Sequence, residues 1–150
     1  MSDLTSLYQE IILDHNRNPR NFRVMDHPDR SLEGYNPLCG DRYTIYLKMN
    51  GNVIEDISFH GSGCAISKAS ASVMTSVLKG KTIEEAEKIF EVFHQLVRGE
   101  KNEADILEEL ERLAAFSGVS AYPARVKCAI LPWHTMKSIL ENESKAVSTE

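Results

Sequence analysis

The stretch YTIYLKMNGNVIEDISF, residues 43–59, decides the fold of this chain. Apolar side chains alternate with polar ones on both sides of the pair Asn50-Gly51. Alternation of this kind is typical of strands with one buried face, and Asn and Gly tolerate the positive φ of a tight turn. The pattern predicts a β-hairpin over residues 42–59.

Helical patterns and one further strand surround the hairpin. Five segments are predicted as helices, namely residues 4–16, 64–78, 82–98, 106–118 and 128–142, and apolar residues recur every three or four positions in the first, third and fourth. The small residues of 64–76 fit either close approach of another backbone or a surface helix with incidental serines. Pro132 is predicted in the first turn of the last helix, where its missing N–H is harmless. Residues 31–36 are predicted as a third strand, and the polar tail 143–150 as frayed.

These elements predict one α+β domain over residues 1–150, a three-stranded antiparallel sheet packed against about five helices. The chain is 42% hydrophobic and 26% charged, with a formal net charge of −5. The acidic balance argues against nucleic-acid binding, and no apolar run approaches the roughly 20 residues of a membrane span. The N-terminus lacks the basic start and apolar run of a signal peptide, so we expect a cytoplasmic protein with no membrane partner.

The three cysteines are the residues of this sequence that most clearly indicate a chemical function. Disulfides are rare in the cytosol and the count is odd, so we interpret all three as thiols. Cys39 precedes the hairpin, Cys64 follows it at a predicted helix start, and Cys128 stands at another predicted helix start. Helix N-termini favour the thiolate. Because a hairpin brings its two ends together, we expect Cys39 and Cys64 to be neighbours.

Three thiolates leave a four-coordinate zinc site incomplete, and Asp41 is the candidate for the fourth ligand. It lies two residues from Cys39, so an extended backbone would direct both side chains to one side. The spacing leaves two interpretations open. The set is either a metal site formed by Cys39, Asp41, Cys64 and Cys128, or a group of buried thiols beside an aspartate that serves a turn.

Such a ligand set has four negative charges, and three cations near it in the sequence are candidates to offset them: Arg42, Arg125 and Lys127. His60 and His134 stand near enough along the chain to approach the site. Packing or surface positions are the more common roles of such histidines. The remaining three histidines have no suggestive neighbours: His15, His27 and His94.

Three motifs occur in order along the chain: Cys39-Gly40-Asp41, Gly63-Cys64-Ala65-Ile66-Ser67 and Arg125-Val126-Lys127-Cys128-Ala129. Together with LDHNRNPRN at residues 13–21, they resemble the iron–sulfur cluster assembly proteins of the IscU/NifU-like group. The resemblance extends from about Leu4 to Leu140. It favours the SufU branch, because material is inserted around residues 93–113 and Lys127 replaces the histidine of the scaffold branch. Residues 121–127 also replace the proline-rich element that a chaperone recognises in the scaffold branch.

The resemblance implies a partner and a reaction. The partner would be a pyridoxal-phosphate cysteine desulfurase of the SufS type. One zinc ion per chain would be held by Cys39, Asp41, Cys64 and Cys128, until a desulfurase histidine enters its shell and frees Cys39. Cys39 would then accept persulfide sulfur, with Arg125 assisting, and pass it to a downstream Suf scaffold or apo-acceptor.

Two alternatives stay open at this point. The first is a scaffold that assembles a [2Fe–2S] cluster on the same residues, since thiolates suit both metals. The second is a structural zinc domain that serves only protein interaction. An aspartate ligand is unusual in closed structural zinc sites, so Asp41 is the residue that discriminates this last alternative.

Overall fold

A computed structural model describes residues 2–100, 108–141 and 147–148. Its elements are, in order, α1 (Ser2–Arg17), β1 (Arg30–Asn36), β2 (Asp41–Asn50), β3 (Val53–Ser62), α2 (Ala65–Leu78), α3 (Ile83–Val97), a 3-10 helix (Glu108–Ala121), α4 (Pro123–Leu140) and β4 (Val147–Ser148). None of the helices in these ranges has both the length and the apolar character needed to cross a membrane.

The central sheet follows from the alternation of β2 and β3. The two strands pair antiparallel across the Asn50-Gly51 turn, and β1 pairs antiparallel with the other edge of β2. Tyr43, Ile45 and Leu47 point to one face and are buried there, as the period of two requires. The predicted α+β fold with a three-stranded antiparallel sheet is confirmed. Of the tail 143–150, only β4 is described; it pairs parallel with β1.

The helices cover the buried face of the sheet. α4 crosses β1 at Gly34, where an added Cβ would overlap the Thr135 hydroxyl, so a residue without a side chain permits the close approach. Trp133 of α4 stacks on Phe93 of α3 with ring centroids 4.5 Å apart. α3 begins with the predicted capping box of Thr82 and Glu85. The 3-10 helix occupies part of the predicted segment 106–118, and residues 101–107 lie outside the described residues.

The serines of α2 pack against other elements, so the interpretation of α2 as a surface helix is wrong. Ser67, Ser70 and Ser72 are fully buried. Ser70 Oγ donates to the Ala129 carbonyl of α4 at 2.6 Å and accepts from Trp133 Nε1 at 3.1 Å. Small hydroxyl side chains therefore let α2 and α4 approach closely while satisfying polar groups in the core.

The start of α4 differs from the prediction. The helix begins at Pro123, which occupies its first turn, and not at Cys128. Pro132 therefore lies inside the helix, where the proline ring removes the N–H that would bond the carbonyl of Cys128. Proline is preorganised for the first helical position, so Pro123 is the residue that signals where this helix starts.

Ser72 of α2 anchors both α1 and the loop after it, and its partner in α1 is His15, which is only 2% exposed. His15 Nδ1 lies 2.7 Å from Ser72 Oγ, which also accepts the Arg20 N–H at 2.8 Å. One hydroxyl of α2 therefore bonds both the His15 ring and the backbone of the following loop. The charged groups that act on the ring are Asp14, Arg20 and Arg112.

We expect His15 to make the fold sensitive to acid. Burial, reinforced by Arg20, lowers the pKa of His15 to about 4, below the value of an unfolded histidine. The unfolded chain therefore binds a proton first, so the stability is complete above roughly pH 6.5 and is lost as the pH falls towards 4. The loss should total roughly 3 kcal/mol. Urea unfolding of wild type and His15→Gln between pH 7.5 and 4.5 measures it, and identical pH slopes in the two proteins would contradict the assignment.

We expect Gly61 to be the least replaceable glycine of the hairpin. Its φ is +145°, and a Cβ there would overlap the backbone carbonyl oxygen of Arg42 across the strand pair. Gly61→Ala should lower the free energy of unfolding by about 2–4 kcal/mol, because backbone atoms of β2 must move. Gly51→Ala is the matched control: its φ is +63° with open space around it, so only about 1 kcal/mol is expected. Equal losses in urea unfolding would show that the overlap is relieved elsewhere.

Candidate metal centre

The candidate site lies at one end of the sheet, where β1 ends, β2 begins and β3 ends. β1 ends at Asn36 opposite Asp41, the first residue of β2, and Arg42 pairs with Ser62 at the end of β3. The register of the hairpin therefore places the turn before β2 beside the start of α2. Cys39 lies in that turn and Cys64 immediately precedes α2.

Two thiols and one carboxylate lie close together at this end of the sheet. Ligand atoms of Cys39, Asp41 and Cys128 all lie within 4.8 Å of one another, and the sulfur atoms of Cys39 and Cys128 are 3.0 Å apart. Cys39 is exposed, whereas Asp41 is 1% and Cys128 is 2% exposed. Cys39 belongs to a turn and not to an extended strand, so turn geometry brings it to Asp41.

Asp41 is fixed by two hydrogen bonds. Its Oδ1 accepts the backbone N–H of Cys64 at 2.8 Å, and its Oδ2 accepts from Asn36 Nδ2 at 3.3 Å. Gly63 makes the first bond geometrically feasible, because a Cβ there would lie 2.6 Å from Asp41 Oδ1 and 2.6 Å from the Tyr43 hydroxyl. The carboxylate thus joins β2 to the start of α2.

Cys64 is the N-cap of α2 and is partly buried. Its Sγ accepts the backbone N–H of Ser67 at 3.4 Å, and the Ser67 hydroxyl lies 3.1 Å from the Tyr43 hydroxyl. The sulfur does not belong to the group of three whose ligand atoms are mutually within 4.8 Å. Burial raises the pKa of the Tyr43 hydroxyl, and the neighbouring Asp41, Cys64 and Cys128 reinforce this shift. Tyr43 is therefore a neutral hydroxyl beside the sulfur atoms.

Cys128 differs from its predicted environment. It is the sixth residue of α4, more than one turn beyond the helix N-terminus, so the expected stabilisation of its thiolate by the helix start is wrong. Burial raises the pKa of the Cys128 thiol, and its contact with Cys39 and the charges of Cys64 and Asp41 raise it further. Such a thiol ionises when a cation shares its surroundings.

The donor set fits a thiophilic metal ion. Two cysteine sulfurs and a carboxylate oxygen within 4.8 Å of one another, with the Cys64 sulfur acting on Cys128 beside them, match the ligand types of zinc and of iron–sulfur clusters. Cys39, Asp41, Cys64 and Cys128 are the side chains that would hold such a group. A bound divalent cation would also supply the positive charge that lets closely placed thiols ionise.

Four predicted neighbours of the site contact other residues: Arg42, Arg125, His60 and His134. Arg42 Nη1 bonds Glu33 Oε1 at 3.1 Å on the opposite side of β2 from Asp41, as strand alternation requires. The Arg125 guanidinium lies over the Tyr122 ring, 4.8 Å from its centroid. His60 stacks on Phe22, and His134 stacks on His94. Among the described residues, the group of three ligand atoms contains no histidine.

A comparison of sequences identifies the family. Residues 7–129 match the model of the NifU-like N-terminal domain. The chain belongs to the NifU-like N-terminal domain family. The matched segment contains all three cysteines and Asp41, and the predicted membership of the IscU/NifU-like group is confirmed.

Curated relatives and solved structures agree with that assignment. The zinc-dependent sulfurtransferase SufU of Bacillus subtilis is 39% identical over 95% of both chains. The iron–sulfur cluster assembly scaffold protein IscU of Thermotoga maritima is 39% identical over 93% of this chain and 96% of its own. The crystal structure of a candidate SUF-system scaffold from Fervidobacterium islandicum superposes with a TM-score of 0.80 at 34% identity, covering 87% of this chain and 94% of that one. The predicted SufU branch is confirmed by the first of these relatives.

Asn36 belongs to the site without having been predicted there, and it is fully buried between Asp41 and Cys128. A signal for it was available, because an asparagine that precedes a proline at the end of a predicted strand is typical of a side-chain-bonded turn. Leu38 N–H does donate to Asn36 Oδ1 at 3.2 Å. The spacing to Cys128 in α4 could not be read from the sequence.

Proposed function

We propose that this chain is a zinc-dependent sulfurtransferase of iron–sulfur cluster biogenesis, which accepts persulfide sulfur from a SufS-type cysteine desulfurase on Cys39. The observation that supports the proposal is the difference in solvent exposure between two neighbouring cysteine thiols. Cys39 is exposed, whereas Cys128, 3.0 Å away, is 2% exposed. A partner can therefore reach the Cys39 thiol, whereas the Cys128 thiol is covered by the fold.

The reaction we propose is an exchange between sulfur atoms. Cys39 Sγ attacks the outer sulfur of the donor persulfide, the S–S bond of the donor breaks, and the donor cysteine leaves as a thiolate. A new S–S bond forms on Cys39, so atoms and electrons balance without an external oxidant. A zinc ion held by Cys39, Asp41, Cys64 and Cys128 would keep these thiols deprotonated at neutral pH.

The surroundings of Cys39 suit the approach of a protein. Leu38, the chain neighbour of Cys39, is 64% exposed, and Tyr122, the N-cap of the helix that contains Cys128, is 54% exposed. Arg125 stacks on Tyr122 and is itself exposed. We assign Arg125 the assisting role of attracting the negative charge of an incoming persulfide. A cytoplasmic location and transfer onward to a Suf scaffold or apo-acceptor complete the proposal.

A scaffold for a [2Fe–2S] cluster is the second candidate. Its support is the Thermotoga maritima scaffold, whose identity to this chain equals that of the Bacillus subtilis sulfurtransferase. The same four side chains would serve it, because thiolates bind zinc and iron–sulfur clusters alike.

Metal content and desulfurase turnover together test the sulfurtransferase proposal. Freshly isolated protein should contain about one zinc per chain, as a four-ligand site implies. It should also raise the turnover of a SufS-type desulfurase on cysteine, and removal of the zinc by a chelator should abolish the increase. Protein that holds one zinc but never changes desulfurase turnover would overturn the proposal.

A further inference from the structure

Asn36 contacts the candidate ligands from the last position of β1. Its side chain is 0% exposed. The amide nitrogen lies 3.3 Å from Asp41 Oδ2 and 3.5 Å from Cys128 Sγ. One neutral group therefore touches two ligand candidates that come from different elements, β2 and α4.

The other half of the amide fixes its orientation. Leu38 N–H donates to Asn36 Oδ1 at 3.2 Å, and an N–H requires an acceptor, so the oxygen must face Leu38. The two N–H groups of Nδ2 are then directed at Asp41 and Cys128. The Cys39 N–H also donates to the Asn36 carbonyl at 3.3 Å. Asn36 is thus bonded to Cys39, Asp41 and Cys128.

We propose that Asn36 is a positioning residue of the metal centre. It holds Asp41, Cys128 and the turn that contains Cys39 in the relative positions that a bound metal ion requires. The inference rests on the proposed metal-binding function of these residues. Three ligands that become negative on ionisation repel one another, and a neutral double donor offsets part of that repulsion without adding charge. A carboxylate or an apolar side chain at this position could not do so.

The hydrogen bond to sulfur should also affect the electronic state of a bound metal. A thiolate that accepts a hydrogen bond gives less charge to its metal than one that does not. Loss of the Asn36 amide should therefore both weaken metal binding and shift the absorption that reports on sulfur-to-metal charge transfer. A side chain that only filled space in the core would not change the second property.

The test compares full-length wild type with Asn36→Ser and Asn36→Ala. Serine keeps a side-chain oxygen near Leu38 but removes the amide donor, so it preserves the turn better than alanine. Zinc affinity is measured by competition with a coloured chelator, and the cobalt-substituted proteins are compared by absorption. We expect zinc to bind about 10–100-fold more weakly to both variants. The sulfur-to-cobalt band should move to lower energy.

Asn21→Ser is the matched control. Asn21 Nδ2 donates to Thr75 Oγ1 at 3.1 Å, and its φ is +60°, so serine there removes a comparable amide bond and adds strain far from the sulfur atoms. It should lower the unfolding free energy while leaving zinc affinity and the cobalt spectrum unchanged.

The outcomes separate this proposal from the proposed function. Wild-type zinc affinity and cobalt spectrum in both Asn36 variants would overturn the role of Asn36. A wild-type chain that binds neither zinc nor cobalt would overturn it together with the metal centre. Wild type that binds zinc but leaves a desulfurase unaffected would contradict only the sulfur-transfer function, and the Asn36 comparison would still decide the positioning role.

Discussion

Cys39→Ser should abolish the acceptance of sulfur. Cys39 is the exposed thiol of the cluster, and a serine hydroxyl is too weak a nucleophile to take its place in an exchange between sulfur atoms. After incubation with a SufS-type desulfurase and cysteine, alkylated wild type should show one added sulfur atom on the peptide that contains Cys39. The variant should show none, and its stimulation of the desulfurase should fall to background.

Leu38→Ala is the control for this change. It alters the exposed neighbour of Cys39 on the same turn and leaves the thiol in place, so sulfur should still appear on Cys39 even if the desulfurase docks more weakly. A Cys39→Ser protein with a wild-type amount of sulfur on Cys64 or Cys128 would show that another thiol is the acceptor.

Asp41→Ala should weaken metal binding more than any change outside the ligand set, by over about 100-fold. The carboxylate is 1% exposed and both of its oxygens are hydrogen-bonded, so its loss also leaves the Cys64 N–H and the Asn36 amide without their acceptor. Buried donors left unpaired cost roughly 1–3 kcal/mol. Asp41→Asn keeps the volume but not the charge and should show the loss of affinity with a smaller loss of stability. Chelator competition and urea unfolding measure the two effects separately.

Asp56→Ala is the matched control for Asp41. Asp56 of β3 is partly buried and bonds Arg23 at 2.7 Å, away from the three cysteines. Its replacement should lower stability and leave zinc affinity unchanged. If Asp41→Ala instead kept both wild-type zinc affinity and sulfur acceptance, the aspartate would not be a ligand and a closed structural zinc site would be the better description.

The hairpin and the capping box of α3 could be predicted because both depend on residues close in sequence. Alternation around Asn50-Gly51 determines the pairing of β2 with β3, and Thr82 and Glu85 satisfy each other within one helical turn. The start of α4 differs from the prediction because two prolines compete for its first turn, and Pro123, not Pro132, occupies that position.

Contacts between distant elements could not be predicted. His15 bonds Ser72, and Asn36 approaches Cys128, only because α1, β1, α2 and α4 pack as they do. The four candidate ligands could be proposed from residue type and from the family resemblance. Their unequal exposure, which is what distinguishes Cys39 as the acceptor, depends on where the turn and α4 lie in the folded chain.

Anaerobic incubation with ferrous iron, cysteine and a SufS-type desulfurase tests the central claim most directly. Visible absorption and the mass of the Cys39 peptide are recorded on the same sample. We expect sulfur on Cys39 of zinc-containing protein, and no visible absorption from an iron–sulfur cluster beyond that of the desulfurase's pyridoxal phosphate. A stable brown protein that passes its cluster to an apo-acceptor, with no sulfur trapped on Cys39, would contradict it and establish the scaffold function instead.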